Sequence, residues 1–372
     1  MKKKFLLAGA LLFAAYASQA QDTTKATPAT ADPGLTIFGS VDTYYKYDFA
    51  GKKNANIATS FANESNSISI GMVDLGVKKK YKKALFVGEL SFGPRGQGQS
   101  IPNQDLTGGI VVNDNGVPYN NTNVIGSQSF HIQNLYVGYD LTDKLNVTAG
   151  YMATFVGYEV ISPVGNFNYS TSYLFTNGPF QNAGVKLTYA FTDKVSLMAG
   201  VFNDSWNSYQ SSRDVSTFGA QLMVSPVTGW TAYVNLLSGY ASGTEVDLTT
   251  SYQITSKFKL GLNAATLSLP EDGGGFSGAA LYPQYSVSDA VTLGLRGEFF
   301  KNKAKTGAPY SNIIPGDNVK AFTLTANVKA GPLTFIPEVR LDNAKSDASF
   351  FKKSGAPSKS AGQFLFAAVY AF

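Results

Sequence analysis

The chain has 372 residues, of which 15% are charged and 13% aromatic, with 37 glycines and no cysteine. Soluble domains usually carry nearer ~25% charge, so a water-covered globule fits poorly. The missing thiols exclude disulfides, thiolate metal sites, a cysteine nucleophile and a cysteine lipid anchor. The formal charge of +5 becomes +2 without residues 1–20, which hold three lysines and no acid, so the basic balance is no nucleic-acid signal.

At the N-terminus Lys2, Lys3 and Lys4 precede an apolar run from Phe5 to Tyr16, and Ser18-Gln19-Ala20 is a small-x-small site. This predicts a secretory signal peptide over 1–20, cleaved after Ala20. The run is too short for a spanning helix, which wants ~20 apolar residues. Residues 21–34 are polar and contain proline, and read as a flexible periplasmic leader.

From residue 35 the pattern changes to segments of about ten residues with period-two hydrophobicity. Sixteen strands are expected, near 35–47, 67–80, 83–93, 130–140, 144–154, 182–191, 195–206, 215–225, 229–240, 244–254, 257–269, 275–287, 290–300, 318–330, 332–343 and 363–372. The clearest runs from 290 to 300. Val291, Leu293, Leu295 and Phe299 share one face, and Thr292, Arg296 and Glu298 the other. Apolar outside and ionisable inside is the pattern of a strand between lipid and water. Every second connection is short, as at Tyr81-Lys82, Thr192-Asp193-Lys194, Ser288-Asp289 and Gly331, whereas most of the others are long. Segregated loop lengths mark a transmembrane barrel with short periplasmic turns and long external loops. Aromatic residues sit near both strand ends: Tyr45, Tyr47, Trp206, Tyr240 and Phe299 by the long loops, and Tyr139, Tyr189, Phe191, Trp230, Tyr252 and Phe258 by the turns. They fit two interfacial belts. The last strand alternates through Phe364, Phe366, Ala368, Tyr370 and Phe372. This ending resembles the signal that outer-membrane barrels present to the barrel-assembly machinery.

The fold expected is therefore an all-β, up-and-down transmembrane barrel over 35–372, in the Gram-negative outer membrane and in contact with its lipid. Barrels of 16–18 strands leave an aqueous channel, and only the short leader precedes the first strand, with no room for a plug domain. The period places Asp42, Lys46, Glu89, Lys186, Glu245, Asp247, Arg296, Glu298, Lys329, Glu338, Arg340 and Asp342 on the inner face. Such groups either tune ion selectivity across a lumen or are the solvated face of a wet barrel. The connection 155–181 is long, aromatic and nearly uncharged, with Glu159 its one acid. Folded into the lumen it narrows the pore; folded outward it caps neighbouring loops.

At this connection the sequence resembles the β-barrel porin-2 family, common among the Bacteroidetes. The resemblance lies in Gly150-Tyr151-Met152-Ala153-Thr154, Gly157-Tyr158-Glu159, Asn166-Phe167-Asn168-Tyr169-Ser170, Ser172, Leu174-Phe175, Pro179-Phe180 and Gly184. It is concentrated in 145–206. Thr171 stands where relatives often carry arginine between two serines, and Gln181-Asn182 where they often carry histidine. The resemblance implies an outer-membrane porin but no particular solute.

Other chemistry is weakly signalled. His131 is the lone histidine, and an even strand period puts it and Asn134 on opposite faces, against a hydrolase constellation. The stretch 93–100 (GPRGQGQS) lacks the ending of a phosphate loop and reads as loop flexibility. Asn113-Asp114-Asn115-Gly116 reads as a turn rather than a calcium loop. No catalytic, cofactor or metal site is expected. The leading function is passive diffusion of small hydrophilic solutes or ions. The alternatives are a non-conducting surface barrel for adhesion or structure, and an outer-membrane hydrolase. Monomer and homo-oligomer are both open, because lipid-facing and protein-facing apolar surfaces look alike.

Overall fold

The computed structural model describes residues 34–372, apart from 54–55, 58, 94, 96–110, 113–117, 120–129, 204–210, 212–213, 241, 306–310 and 312. The expected signal peptide, nearly all of the leader, Trp206 and the 113–116 tetrad lie outside the described residues, as does the side chain of His131.

Sixteen antiparallel strands close into one barrel in chain order, each bonded to its sequence neighbours and the last to the first. They are β1 (Thr36–Asp48), β2 (Ser67–Tyr81), β3 (Ala84–Phe92), β4 (Phe130–Asp140), β5 (Leu145–Ala153), β6 (Gln181–Ala190), β7 (Val195–Asn203), β8 (Val215–Val224), β9 (Trp230–Gly239), β10 (Gly243–Gln253), β11 (Phe258–Ser268), β12 (Gly275–Ser286), β13 (Val291–Asn302), β14 (Asn318–Ala330), β15 (Leu333–Ala344) and β16 (Ser360–Ala371). Closure leaves no unpaired edge in the ring, which matters where no water can satisfy backbone groups. The seam pairs Tyr45 with Phe366 and Tyr47 with Phe364.

Two-residue periodicity holds around the ring. Leu293, Leu295, Phe299, Val339, Leu341, Phe366 and Tyr370 are exposed on the outer wall, where lipid would cover them. Arg296, Glu298, Glu338, Arg340 and Asp342 are buried inside. The short turns need backbone that bends tightly. In the two-residue connection after β14, Gly331 has φ +65°, and in the one after β2, Lys82 takes φ +52°. Such hairpins require a positive φ that glycine adopts without strain.

Two details depart from the expected pattern. β16 begins at Ser360 rather than 363. The register also shifts between Glu89 and Leu90, so that Glu89 pairs with Asn134 and Leu90 with Ile132. Gln133 is the extra residue of this bulge. The even alternation expected across 131–134 therefore fails, and His131 pairs through its backbone with Ser91. Two short ladders, Val111–Val112 with Pro118–Tyr119 and Phe350–Phe351 with Pro357–Ser358, lie in the long connections.

Candidate functional site

The connection between β5 and β6, residues 154–180, folds into the barrel. Phe155, Val156, Ile161, Tyr169, Tyr173, Leu174, Phe175 and Phe180 are all buried. It contains a short 3-10 turn (Pro163–Gly165) and one α-helical turn, α1 (Tyr173–Asn177). Ser172 caps that turn by accepting the Phe175 N–H at 3.0 Å. Capping by serine satisfies one of the donors left over at a helix start.

A loop inside a barrel brings backbone donors and acceptors that lose water and must be paired. The barrel wall pairs them with acidic and basic side chains. Glu338 accepts the N–H groups of Tyr169 and Ser170, at 3.0 and 3.1 Å on its two oxygens. Glu298 does the same for Tyr173 and Leu174, at 3.1 and 2.9 Å. Asp247 accepts Gly157 N–H at 3.1 Å. The loop carbonyls meet guanidinium groups: Arg296 donates to Ser170 O at 2.6 Å and to Thr171 O at 3.3 Å, and Arg340 donates to Thr171 O at 2.7 Å. The loop's own acid, Glu159, pairs with Arg296 at 2.8 Å and accepts Ser172 N–H at 2.7 Å. Asp342 holds Arg340 through two bonds of 2.9 and 3.0 Å and accepts the Tyr173 hydroxyl at 2.7 Å. Asp42 accepts the Met72 N–H at 2.9 Å and the Tyr169 hydroxyl. The Thr171 carbonyl is thus gripped by two arginines of the wall.

The other candidates lie around this cluster. Lys46 is buried and donates to Asn63 O at 2.7 Å, holding the first long loop. Glu89 accepts from Asn134 at 2.5 Å. Glu245 is buried beside the loop end at Gly178, and one of its oxygens has no hydrogen-bond partner. Lys186 and Lys329 are half-buried on the inner face, nearer the short turns.

Wall glycines make room for the loop's rings. A Cβ on Gly294 would sit 2.2 Å from the ring of Phe167, and one on Gly261 would sit 2.2 Å from the Tyr158 hydroxyl. Neither approach is possible with a side chain in place.

Sequence reasoning missed Arg95, read only as part of a flexible loop. Arg95 is buried, and it donates to the carbonyls of Ile161 and Tyr169, both at 3.4 Å. Its guanidinium lies 4.4 Å from the Tyr169 ring centre and 4.9 Å from that of Phe61. No strand period reports on a loop arginine, so no signal existed for it. Asp74 was also missed, although its inward parity in β2 was readable; it accepts from Ser40 at 2.9 Å and from Ser162 at 3.2 Å. Asp74 and Glu89 line a cavity of about 970 Å³, open solvent included, between loop residues 158–165 and the wall. Phe38, Ala371 and Phe372 also line it, so it reaches the short-turn end of the barrel.

A closed sixteen-strand antiparallel barrel has counterparts among known proteins. The family model "Putative beta-barrel porin-2, OmpL-like" matches residues 34–372. The chain belongs to this porin family. Its fold is similar to that of the outer membrane channel DcaP of Acinetobacter baumannii, with 12% identity, TM-score 0.55, and coverage of 94% of this chain and 100% of that one. It is also similar to the anion-selective porin from Comamonas acidovorans (13% identity, TM-score 0.56, coverage 91% and 99%). A third likeness is to OmpT of Vibrio cholerae (13% identity, TM-score 0.53, coverage 93% and 99%). At these identities the likeness is one of fold. No curated protein matches the chain. Family and architecture together make this porin an outer-membrane channel for small solutes.

Proposed function

We propose that residues 155–181 form the constriction of the channel, and that most of the charged wall residues hold this loop rather than face the solute. The supporting observation is the double clamp: Glu298 and Glu338 each accept two consecutive loop N–H groups. A carboxylate in that position is already satisfied and is shielded from passing ions. Of the candidate residues, Glu159, Asp42, Asp247, Arg296, Glu298, Glu338, Arg340 and Asp342 belong to the clamp, while Glu89, Lys186 and Lys329 line the wall toward the periplasm. Single-channel recording in planar bilayers tests this. The parent porin is expected to conduct in small steps, and removal of 156–179 to raise the step severalfold. A parent that conducts in no lipid or voltage, with conductance only after loop removal, would support the non-conducting surface barrel instead.

The same reading makes the protein a passive pore and not an enzyme, with residues 1–20 as its export signal and the strand ending at Phe372 as the segment read by the assembly machinery. A homo-oligomer is part of the proposal, since one solved OmpT structure of similar fold is described as a trimer form.

A further inference from the structure

We infer that the periplasmic mouth of this porin is a ring of lysines that collects small anions, which makes the channel anion-preferring. The inference rests on the channel reading and names its solute class.

Five lysines point inward near the short turns. Lys78 and Lys80 follow the inward parity of β2, whose outward residues Val73 and Leu75 are exposed. Lys186 sits between the exposed Val185 and Leu187 of β6. Lys259 shares the inner face of β11 with the buried Asn263, and Lys329 that of β14 with the buried Thr323 and Thr325. The register fixes their height: Lys80 pairs with Leu85, Gln253 with Lys259 and Lys329 with Thr334, each within two residues of a turn, while Lys186 pairs with Gly200 somewhat higher. Around the ring they occupy β2, β6, β11 and β14, at successive gaps of four, five, three and four strands. The mouth is therefore lined by positive charge on all sides.

Opposing charge is scarce at this level. Among the described residues Asp140 is the one inward acid below Lys186, where it pairs with Lys80 at 2.8 Å, and Glu89 lies one ladder pair above Lys186. On the turns, Lys82, Lys83, Lys144, Lys194 and Lys257 stand against Asp143, Asp193 and Asp289, with the terminal carboxylate of Phe372 nearby. Ring and turns thus hold ten lysines and four aspartates, a side-chain excess of +6. The described residues hold 25 basic and 20 acidic side chains, an excess of +5, so the rest of the described barrel is net −1. Charge is segregated toward one mouth. A passing ion meets this sum, not the freedom of any one ammonium. Rings of one sign in a low-dielectric wall focus the field and raise the local concentration of the opposite ion. Above the ring, Asp74 and Glu89 face the cavity but are engaged by Ser40, Ser162 and Asn134. Of the mid-barrel acids, Asp42, Asp247, Glu298, Glu338 and Asp342 are engaged by the loop, and Glu245 is buried beside it.

Reversal potentials under a KCl gradient test the inference. At about 0.1 M salt, where screening acts over ~10 Å, the parent channel is expected to favour chloride over potassium. Each substitution Lys186→Gln, Lys259→Gln or Lys329→Gln should lower that ratio roughly twofold, the effect of a unit charge about 8 Å away in water, and the triple variant should reach parity or below. Lys352→Gln, in an external loop, should leave the ratio unchanged. A parent reversing on the potassium side would place selectivity on Asp74 and Glu89 and overturn the inference, as would a conducting triple variant with an unaltered ratio. A parent that never conducts would overturn the channel reading itself, and this inference with it.

Discussion

Replacing Glu298 or Glu338 with glutamine tests the clamp with the least change of shape. Each carboxylate offers two acceptor oxygens to two consecutive N–H groups. Glutamine keeps one acceptor and turns an amide donor toward the other N–H. One charge-assisted bond is lost and one backbone donor is left unpaired, at a cost of roughly 1.5–3 kcal/mol. If the loop opens locally, that cost raises the open population roughly ten- to 150-fold. The chain has no cysteine, so a single Thr171→Cys reporter is clean. Thr171 is only 1% exposed in the closed loop. In that background, a membrane-impermeant thiol reagent is expected to label Glu298→Gln and Glu338→Gln roughly ten- to 150-fold faster than the parent. The double variant need not be additive, because the two carboxylates hold neighbouring stretches of one loop. Equal labelling rates in parent and both variants, with the barrel shown folded by its heat-dependent gel shift, would refute the clamp.

Three further outcomes are expected from the same geometry. Gly294→Val places atoms where the Phe167 ring now lies and should enlarge single-channel conductance by displacing the loop tip, while circular dichroism still reports a barrel. Arg296→Met leaves Glu159 buried without its partner; breaking a buried pair in this way costs about 3–5 kcal/mol, so the midpoint of urea unfolding in detergent should fall clearly, and Glu159→Gln in the same chain should restore part of the loss. Asp317 ties two external loops by accepting from Ser346 and Ser349. Burial alone would raise its pKa, but the bonds from Ser346, Asn318 and Ser349 hold it below the ordinary carboxylate range. A depressed pKa contributes stability above the unfolded value that is lost as pH falls through the folded one. Hydrogen-exchange protection of the Ser346 amide should therefore persist through the ordinary carboxylate range and be lost only as pH falls below it, through the depressed folded pKa, and Asp317→Asn should lack it at every pH.

The barrel was legible because its physics is written in side chains. Lipid outside and a polar interior force a period of two, and Val291 to Phe300 shows it without ambiguity. Strand ends were less legible where pairing needs only backbone. Ser360, Ala361 and Gly362 carry no apolar alternation and read as loop, yet they pair with Asn343, Asp342 and Leu341. The bulge at Gln133 was invisible for a related reason. It inserts a residue into a strand whose flanking pattern stays regular, so a strict period misplaces the residues on its far side.

The inner wall shows where sequence reading stops. Parity placed Arg296, Glu298, Glu338, Arg340 and Asp342 on the inner face, and the structure has them there. Parity cannot say what they touch, because their partners are mostly backbone N–H and C=O groups of a loop, and every residue carries those. A charge facing water and a charge facing a loop backbone look identical in sequence. The two states differ in consequence. A solvated carboxylate acts on passing ions, whereas Glu298 and Glu338 spend their acceptor capacity on a loop that occupies the lumen. Holding residues 154–180 inside a barrel requires many such acceptors and donors, and the middle of this wall supplies them with both signs interleaved: Arg296 and Glu298 on β13, Glu338, Arg340 and Asp342 on β15. The inward lysines near the turns carry one sign, with Asp140 the single inward acid below Lys186 among the described residues. On the proposed division, shape selectivity belongs to the mid-barrel clamp and charge selectivity to the periplasmic ring, and substitutions at the two levels should separate pore size from ion preference.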